Sequence, residues 1–234
     1  MNPTIIIGIV VVVICISISI SAGVYLSQKD DKTSADTTSA DKTSASKVEP
    51  APTTPTYVPF NAGSQTGTGA NDWGGGNSIY LDRHNVNCGN KGLNQLQFVR
   101  PAGDKIEWKY TCADGGKLGS NVSKSTPGSD WGGGNTIYLD RHDANCGENN
   151  VMTQLQLVRP TGDQIQWKYT CAPNTQSKAL SCRDLKTPAN EDGGGNSIYF
   201  DRHDIKCNAD EAISRLHLTR PSGNQIQWEY KCCK

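Results

Sequence analysis

Three near-identical segments make up most of this chain. The first runs Gly74-Gly-Gly-Asn-Ser-Ile-Tyr-Leu-Asp-Arg-His84, then Cys88, then Ile106-Glu-Trp-Lys-Tyr-Thr-Cys112; it recurs from Gly132 to Cys171 and from Gly193 to Cys232. The tripeptide Asp-Arg-His begins at residues 82, 140 and 201, so the copies lie 58 and 61 residues apart. A period this long, with Gly, Trp and Cys at fixed places inside it, marks a duplicated disulfide-linked β-unit. It also argues against an ordinary enzyme, whose active site needs one asymmetric constellation rather than three equal ones.

Within each copy the alternation is clean. Ile106, Trp108, Tyr110 and Cys112 share one strand face, as do Ile165, Trp167, Tyr169 and Cys171, and Ile226, Trp228, Tyr230 and Cys232. Period two with β-branched and aromatic residues predicts a half-buried strand. Leu96, Phe98 and Arg100 predict a second strand, matched by Leu155, Leu157, Arg159 and by Leu216, Leu218, Arg220. The intervening Arg-Pro-x-Gly-Asp/Asn reads as a hairpin loop, since Pro presets φ and Gly accepts φ > 0. Asn-Ser-Ile-Tyr-Leu-Asp-Arg-His reads as a third strand. The expected class is all-β: three tandem disulfide-linked repeats forming a pseudo-threefold head, β-prism-like or β-trefoil-like, with separate beads as the alternative. The short linkers after Cys112 and Cys171 favour close packing.

Nine cysteines sharpen this picture. Each copy has a matched pair, Cys88 with Cys112, Cys146 with Cys171, and Cys207 with Cys232. The third copy adds Cys182 and Cys233. In the second copy their positions are Asn121 and Ala172, so both are lost together, as expected for a bonded pair. The reading is therefore four disulfides, with Cys15 left over. Zinc ribbons need paired Cys-x-x-Cys knuckles, which are missing here.

Residues 5–26 carry no charge and are rich in Ile and Val, enough to cross a membrane as a helix. A cleaved signal peptide, with Ser19, Ser21, Ala22 and Gly23 offering a cleavage site, is disfavoured by the length of the run and by the lack of a preceding Lys or Arg. The expected layout is an anchor at 1–28, a Ser/Thr/Asp/Lys/Pro stalk at 29–69, and repeats at 70–119, 120–178 and 179–234. The stalk cannot bury enough apolar surface to offset its ordering entropy. Disulfides place the repeats on the non-cytosolic side. Asn121-Val-Ser123 is an N-glycosylation sequon. With 23 basic and 23 acidic residues, the chain shows no electrostatic case for nucleic acid.

On a strand, Tyr80, Asp82 and His84 would share one side, as would Tyr138, Asp140, His142 and Tyr199, Asp201, His203. Such a row could bind sugar hydroxyls or a carboxylated glycan, or hold a metal through histidines of several repeats. The bland reading is scaffold: Asp and His cap neighbouring backbone, and Arg83 pairs with an acid inside its repeat. Repetition favours the scaffold, and no Ser or Cys stands in matching context for a catalytic His. No catalytic residue, cofactor or metal is expected. The Gly-Gly-Gly-Asn run lacks the Lys-Ser/Thr of a phosphate loop, and the acidic lead-ins at Asp72, Asp130 and Asp192 are too sparse for calcium.

The string Gly-x-Gly-Asn-x-Ile-Tyr-Leu-Asp-Arg-His-x-x-x-Cys, closing on Trp-x-Tyr-x-Cys, resembles cysteine-bonded repeats in proteins of large DNA viruses and some aquatic eukaryotes. The anchor and stalk are similar to those of virion membrane proteins of nucleocytoplasmic large DNA viruses. The resemblance covers about residues 74–233 and carries no activity, so it implies no catalytic or binding residue. Two functions are expected to compete. One is a non-enzymatic structural protein of a virion, tethering membrane to shell or standing at the surface. The other is a lectin-like adhesion module reading glycans on a host or neighbouring cell surface through three weak, equivalent patches.

Overall fold

The computed structural model describes residues 56–234. The expected anchor, most of the stalk and Cys15 lie outside the described residues; among those described, no helix is long and apolar enough to cross a membrane.

Each repeat contributes five strands. The first gives β1 (Phe60–Gly67), β2 (Asn71–Asp72), β3 (Asn85–Asn87), β4 (Gly92–Val99) and β5 (Lys105–Gly115). The second gives β6 (Val122–Ser125), β7 (Ser129–Asp130), β8 (Asp143–Asn145), β9 (Asn150–Val158) and β10 (Gln164–Pro173). The third gives β11 (Cys182–Lys186), β12 (Asn190–Glu191), β13 (Asp204–Lys206), β14 (Ala212–Thr219) and β15 (Gln225–Cys233). The alternating segments pair as the sequence predicts: in the β4–β5 hairpin Phe98 faces Trp108 and Leu96 faces Tyr110. The fold is all-β, in three antiparallel sheets.

Each sheet borrows a strand. β3 of the first repeat leaves its own sheet and pairs with β9 of the second, Val86 opposite Leu155. β8 of the second pairs with β14 of the third, Ala144 opposite Leu216. β13 of the third pairs with β4 of the first, Ile205 opposite Leu96, which closes the ring. A bulge prepares each docking site. Asn94, Thr153 and Ser214 are the extra residues in β4, β9 and β14. Their carbonyls accept from the backbone N–H of the incoming arm's cysteine: Cys207 at 3.1 Å, Cys88 at 2.9 Å and Cys146 at 2.9 Å. A bulge bends its strand and re-aims the local groups, which here serves the neighbour.

All four expected disulfides are present: Cys88–Cys112, Cys146–Cys171, Cys207–Cys232 and Cys182–Cys233. The first three link an arm lying on a neighbour's sheet back to the arm's own sheet, so each bond within a repeat also fastens two sheets together. By loop entropy a closure of 24 or 25 residues contributes about 3 kcal/mol.

Leu81, Leu139 and Phe200, one from each repeat, are fully buried in the shared core with Trp108, Trp167 and Trp228. Phe200 lies 5.4 Å from Trp228 and 6.5 Å from Trp108, joining the third repeat to the first. A smaller cluster of Phe60, Ala113, Val151, Ala212 and Cys233 closes the other pole, where β4, β9 and β14 begin. Phe60 packs beside Gly92, which stands where the other repeats carry Val151 and Ala212.

Two expectations are corrected. The stalk was set to end at residue 69, yet Phe60–Gly67 is an edge strand on β5; its polar composition matches the stalk's because an edge strand need bury only part of one face. The segment expected as a strand from Asn77 to His84 is a 3-10 helix over Ser78–Arg83, repeated at Thr136–Arg141 and Ser197–Arg202. Asn77, Asn135 and Asn196 cap these helices, each Oδ1 accepting the N–H two residues on at 3.0–3.1 Å. Positions i and i+3 eclipse in a 3-10 helix, so Ser78 and Leu81 go inward together.

Candidate functional site

The helical turn scatters the Tyr/Asp/His row that the sequence placed on one face. His84, His142 and His203 cap the three helices and are at most 1% exposed. Each Nδ1 lies 2.8 Å from a threonine hydroxyl, of Thr68, Thr126 and Thr187 respectively. The same hydroxyls accept the backbone N–H of Trp108, Trp167 and Trp228 at 2.9–3.2 Å. Each threonine hydroxyl thus bridges the imidazole to the backbone of the tryptophan strand. Burial lowers all three histidine pKa values, His203 to about 4, with the neighbouring arginines adding in the same direction at His142 and His203.

Ser129 Oγ lies 2.7 Å from His142 Nε2, a distance a nucleophile and its base would share. The contact does not recur in the other repeats, where His84 Nε2 and His203 Nε2 are buried without a partner.

Asp82, Asp140 and Asp201 point to the next repeat around the ring. Asp82 pairs with Arg159 at 2.9 Å, Asp140 with Arg220 at 2.8 Å and Asp201 with Arg100 at 2.8 Å. The three ion pairs reproduce the order of the arm exchange. Arg83 was expected to pair with an acid of its own repeat; instead its guanidinium stacks over Tyr80, 4.2 Å from the ring centroid, as Arg141 does on Tyr138 and Arg202 on Tyr199. Each tyrosine also packs on a glycine, Gly74, Gly132 or Gly193, so closely that a Cβ there would overlap the ring. Tyr199, Asp201 and Arg202 line a surface pocket with Arg100 of the first repeat.

The three Gly-Gly-Gly-Asn loops meet around a shallow polar dish of about 420 Å³. Asn77 nests on Gly134, Asn135 on Gly195 and Asn196 on Gly76, again in ring order, and Thr136 donates its N–H to the Gly195 carbonyl at 2.9 Å. The acidic lead-ins serve this turn: Asp72, Asp130 and Asp192 accept from loop glycine N–H groups at 2.6–2.9 Å. Among the described residues, the one cluster with metal-ligand spacing is Cys207, Glu211 and Cys232, whose two sulfurs are already bonded to each other.

Sequence reasoning found the histidines and aspartates but not their partners. A signal was present: Thr68, Thr126 and Thr187 each stand 16 residues ahead of their histidine.

If these histidines are scaffold, His203→Ala should lower stability by about 1–3 kcal/mol, because Thr187 loses a buried partner. Acid should act in the same direction. The folded pKa lies below the unfolded value near 6.5, so the stabilisation is complete above pH 6.5 and is lost as pH falls toward about 4. His203 contributes a slope of up to about 1.4 kcal/mol per pH unit in that window, and His84 and His142 act in the same direction. Urea titrations at several pH values should show this slope, and it should be smaller in the variant.

The fold and site thus define a closed three-repeat β-head whose aspartates and loop asparagines serve the seams between repeats, while its histidines and tyrosines are held within each repeat. Comparison of the chain with protein-family models, curated proteins and solved structures returns no match.

Proposed function

We propose that this protein is a membrane-anchored, non-enzymatic structural component of a virion, in which residues 5–26 hold a rigid head on the non-cytosolic side. The observation that carries this reading is the use of all nine Tyr, Asp and His side chains in internal contacts: histidine to threonine, aspartate to the next repeat's arginine, tyrosine to glycine and arginine. A head whose repeated groups are engaged with one another suits load-bearing or spacing, such as a tether from membrane to shell. The three sheets, each completed by its neighbour, favour a prism-like arrangement over a trefoil or separate beads. The lectin-like alternative draws less support, because it needs an accessible aromatic face at each repeat.

Mass spectrometry of purified virions, before and after detergent extraction of the membrane, tests the proposal. The expected result is the chain in virions at structural copy number, released with the membrane fraction. Its absence from virions, together with binding of the intact chain to a glycan array, would overturn the structural reading in favour of the adhesion module.

A further inference from the structure

We propose that Asn121 carries an N-linked glycan standing over the free edge of the second sheet. The inference rests on the reading that the head lies outside the cytosol. Asn121-Val-Ser123 is the one Asn-x-Ser/Thr sequence in the 234 residues whose middle residue is not proline. It opens β6, an edge strand whose four residues are all exposed, and Val122, at 53%, is the most exposed large apolar side chain among the described residues.

The other two sheets protect the equivalent edge by different means. β1 is bulged between Ala62 and Gln65, and the Ala62 N–H is taken by the Ala209 carbonyl at 2.8 Å. β11 is bonded covalently to its neighbour through Cys182–Cys233, and Cys182 precedes Arg183, the partner of Cys232, as Asn121 precedes Val122, the partner of Cys171. β6 has neither device. An unpaired edge is a template for another chain, and a bulky hydrated glycan on the residue just before it blocks that approach.

Local geometry accepts the modification. Asn121 Nδ2 donates to the Gly89 carbonyl at 2.8 Å, and its Oδ1 accepts from Thr153 Oγ1 at 3.3 Å. Transfer from a lipid-linked oligosaccharide forms one bond from Nδ2 to the sugar C1 as the C1–O bond to the lipid pyrophosphate breaks. One amide proton departs to base. The second N–H remains on the glycosylated nitrogen as a donor.

The test is expression of the full chain in a eukaryotic secretory host, with glycopeptide and disulfide mapping of the same sample. The expected result is a glycan on the Asn121 peptide, lost in Ser123→Ala, a change that leaves the Asn121 contacts in place. A bare Asn121 peptide in chains carrying all four disulfides would overturn the proposal alone. Chains lacking both glycan and disulfides would overturn the non-cytosolic placement of the head and the proposal with it.

Discussion

Gly134→Ala should lower the stability of the head by roughly 3–5 kcal/mol, while Gly133→Ala, one residue earlier, should cost only about 1–2. Both glycines have positive φ, +95° and +65°, so each substitution carries the left-handed penalty of an L-residue. The difference lies in what the new methyl meets. At Gly133 nothing stands within 4 Å; at Gly134 the Cβ would overlap the Asn77 side chain. Asn77 is also the cap of the first repeat's 3-10 helix, so displacing it adds a lost cap to overpacking. Gly195→Ala and Gly76→Ala should behave like Gly134→Ala, since each supports an asparagine of another repeat. Urea midpoints of the four variants check the ranking. Equal midpoints for Gly133→Ala and Gly134→Ala would show that the asparagine–glycine seam does not hold the repeats together.

Ile205→Asp should cost at least about 4 kcal/mol and unfold the first repeat together with the third. Ile205 is 1% exposed and sits on the borrowed strand, opposite Leu96 of the first sheet. Losing its burial removes about 2–3 kcal/mol, and the carboxylate adds an unpaired buried charge. The neighbouring Lys206 is exposed, and Lys206→Asp should stay within about 0.5 kcal/mol. Hydrogen exchange of β4 and β5 provides the readout: their protection should fall with that of β14 and β15. Undiminished protection in the first repeat would mean that ring closure is geometric but not energetically coupled.

The parts of the fold legible in the sequence are those set by local pattern. Period-two alternation gave the long hairpins, and joint presence or absence of cysteines gave all four disulfides. The 3-10 helices were not legible because Ile79 and Leu81 mimic strand alternation over so short a segment. The three positive-φ glycines that turn the chain into the helix look the same in sequence as any loop. The arm exchange could not be read for a deeper reason. The three sheets present almost the same edge, so Val86, Ala144 and Ile205 would satisfy the pattern on their own sheet as well as on the next. β1 was missed although Thr68, aligned with Thr126 and Thr187, already placed the start of the first repeat earlier than residue 70.

The cyclic lending of strands also governs when the protein can fold. Ile205 pairs with Leu96 across more than a hundred residues of chain, so the first sheet, made earliest, stays incomplete until the third arm has left the ribosome. Pairings of such high sequence separation form slowly, because loop closure precedes the contacts that reward it. The nascent first repeat therefore waits with an open edge and an unfinished apolar face, the kind of surface that chaperones hold and that aggregates when released too soon. Synthesis of the segment from β13 to β15, rather than of any one repeat, sets the moment at which this head becomes a folded object.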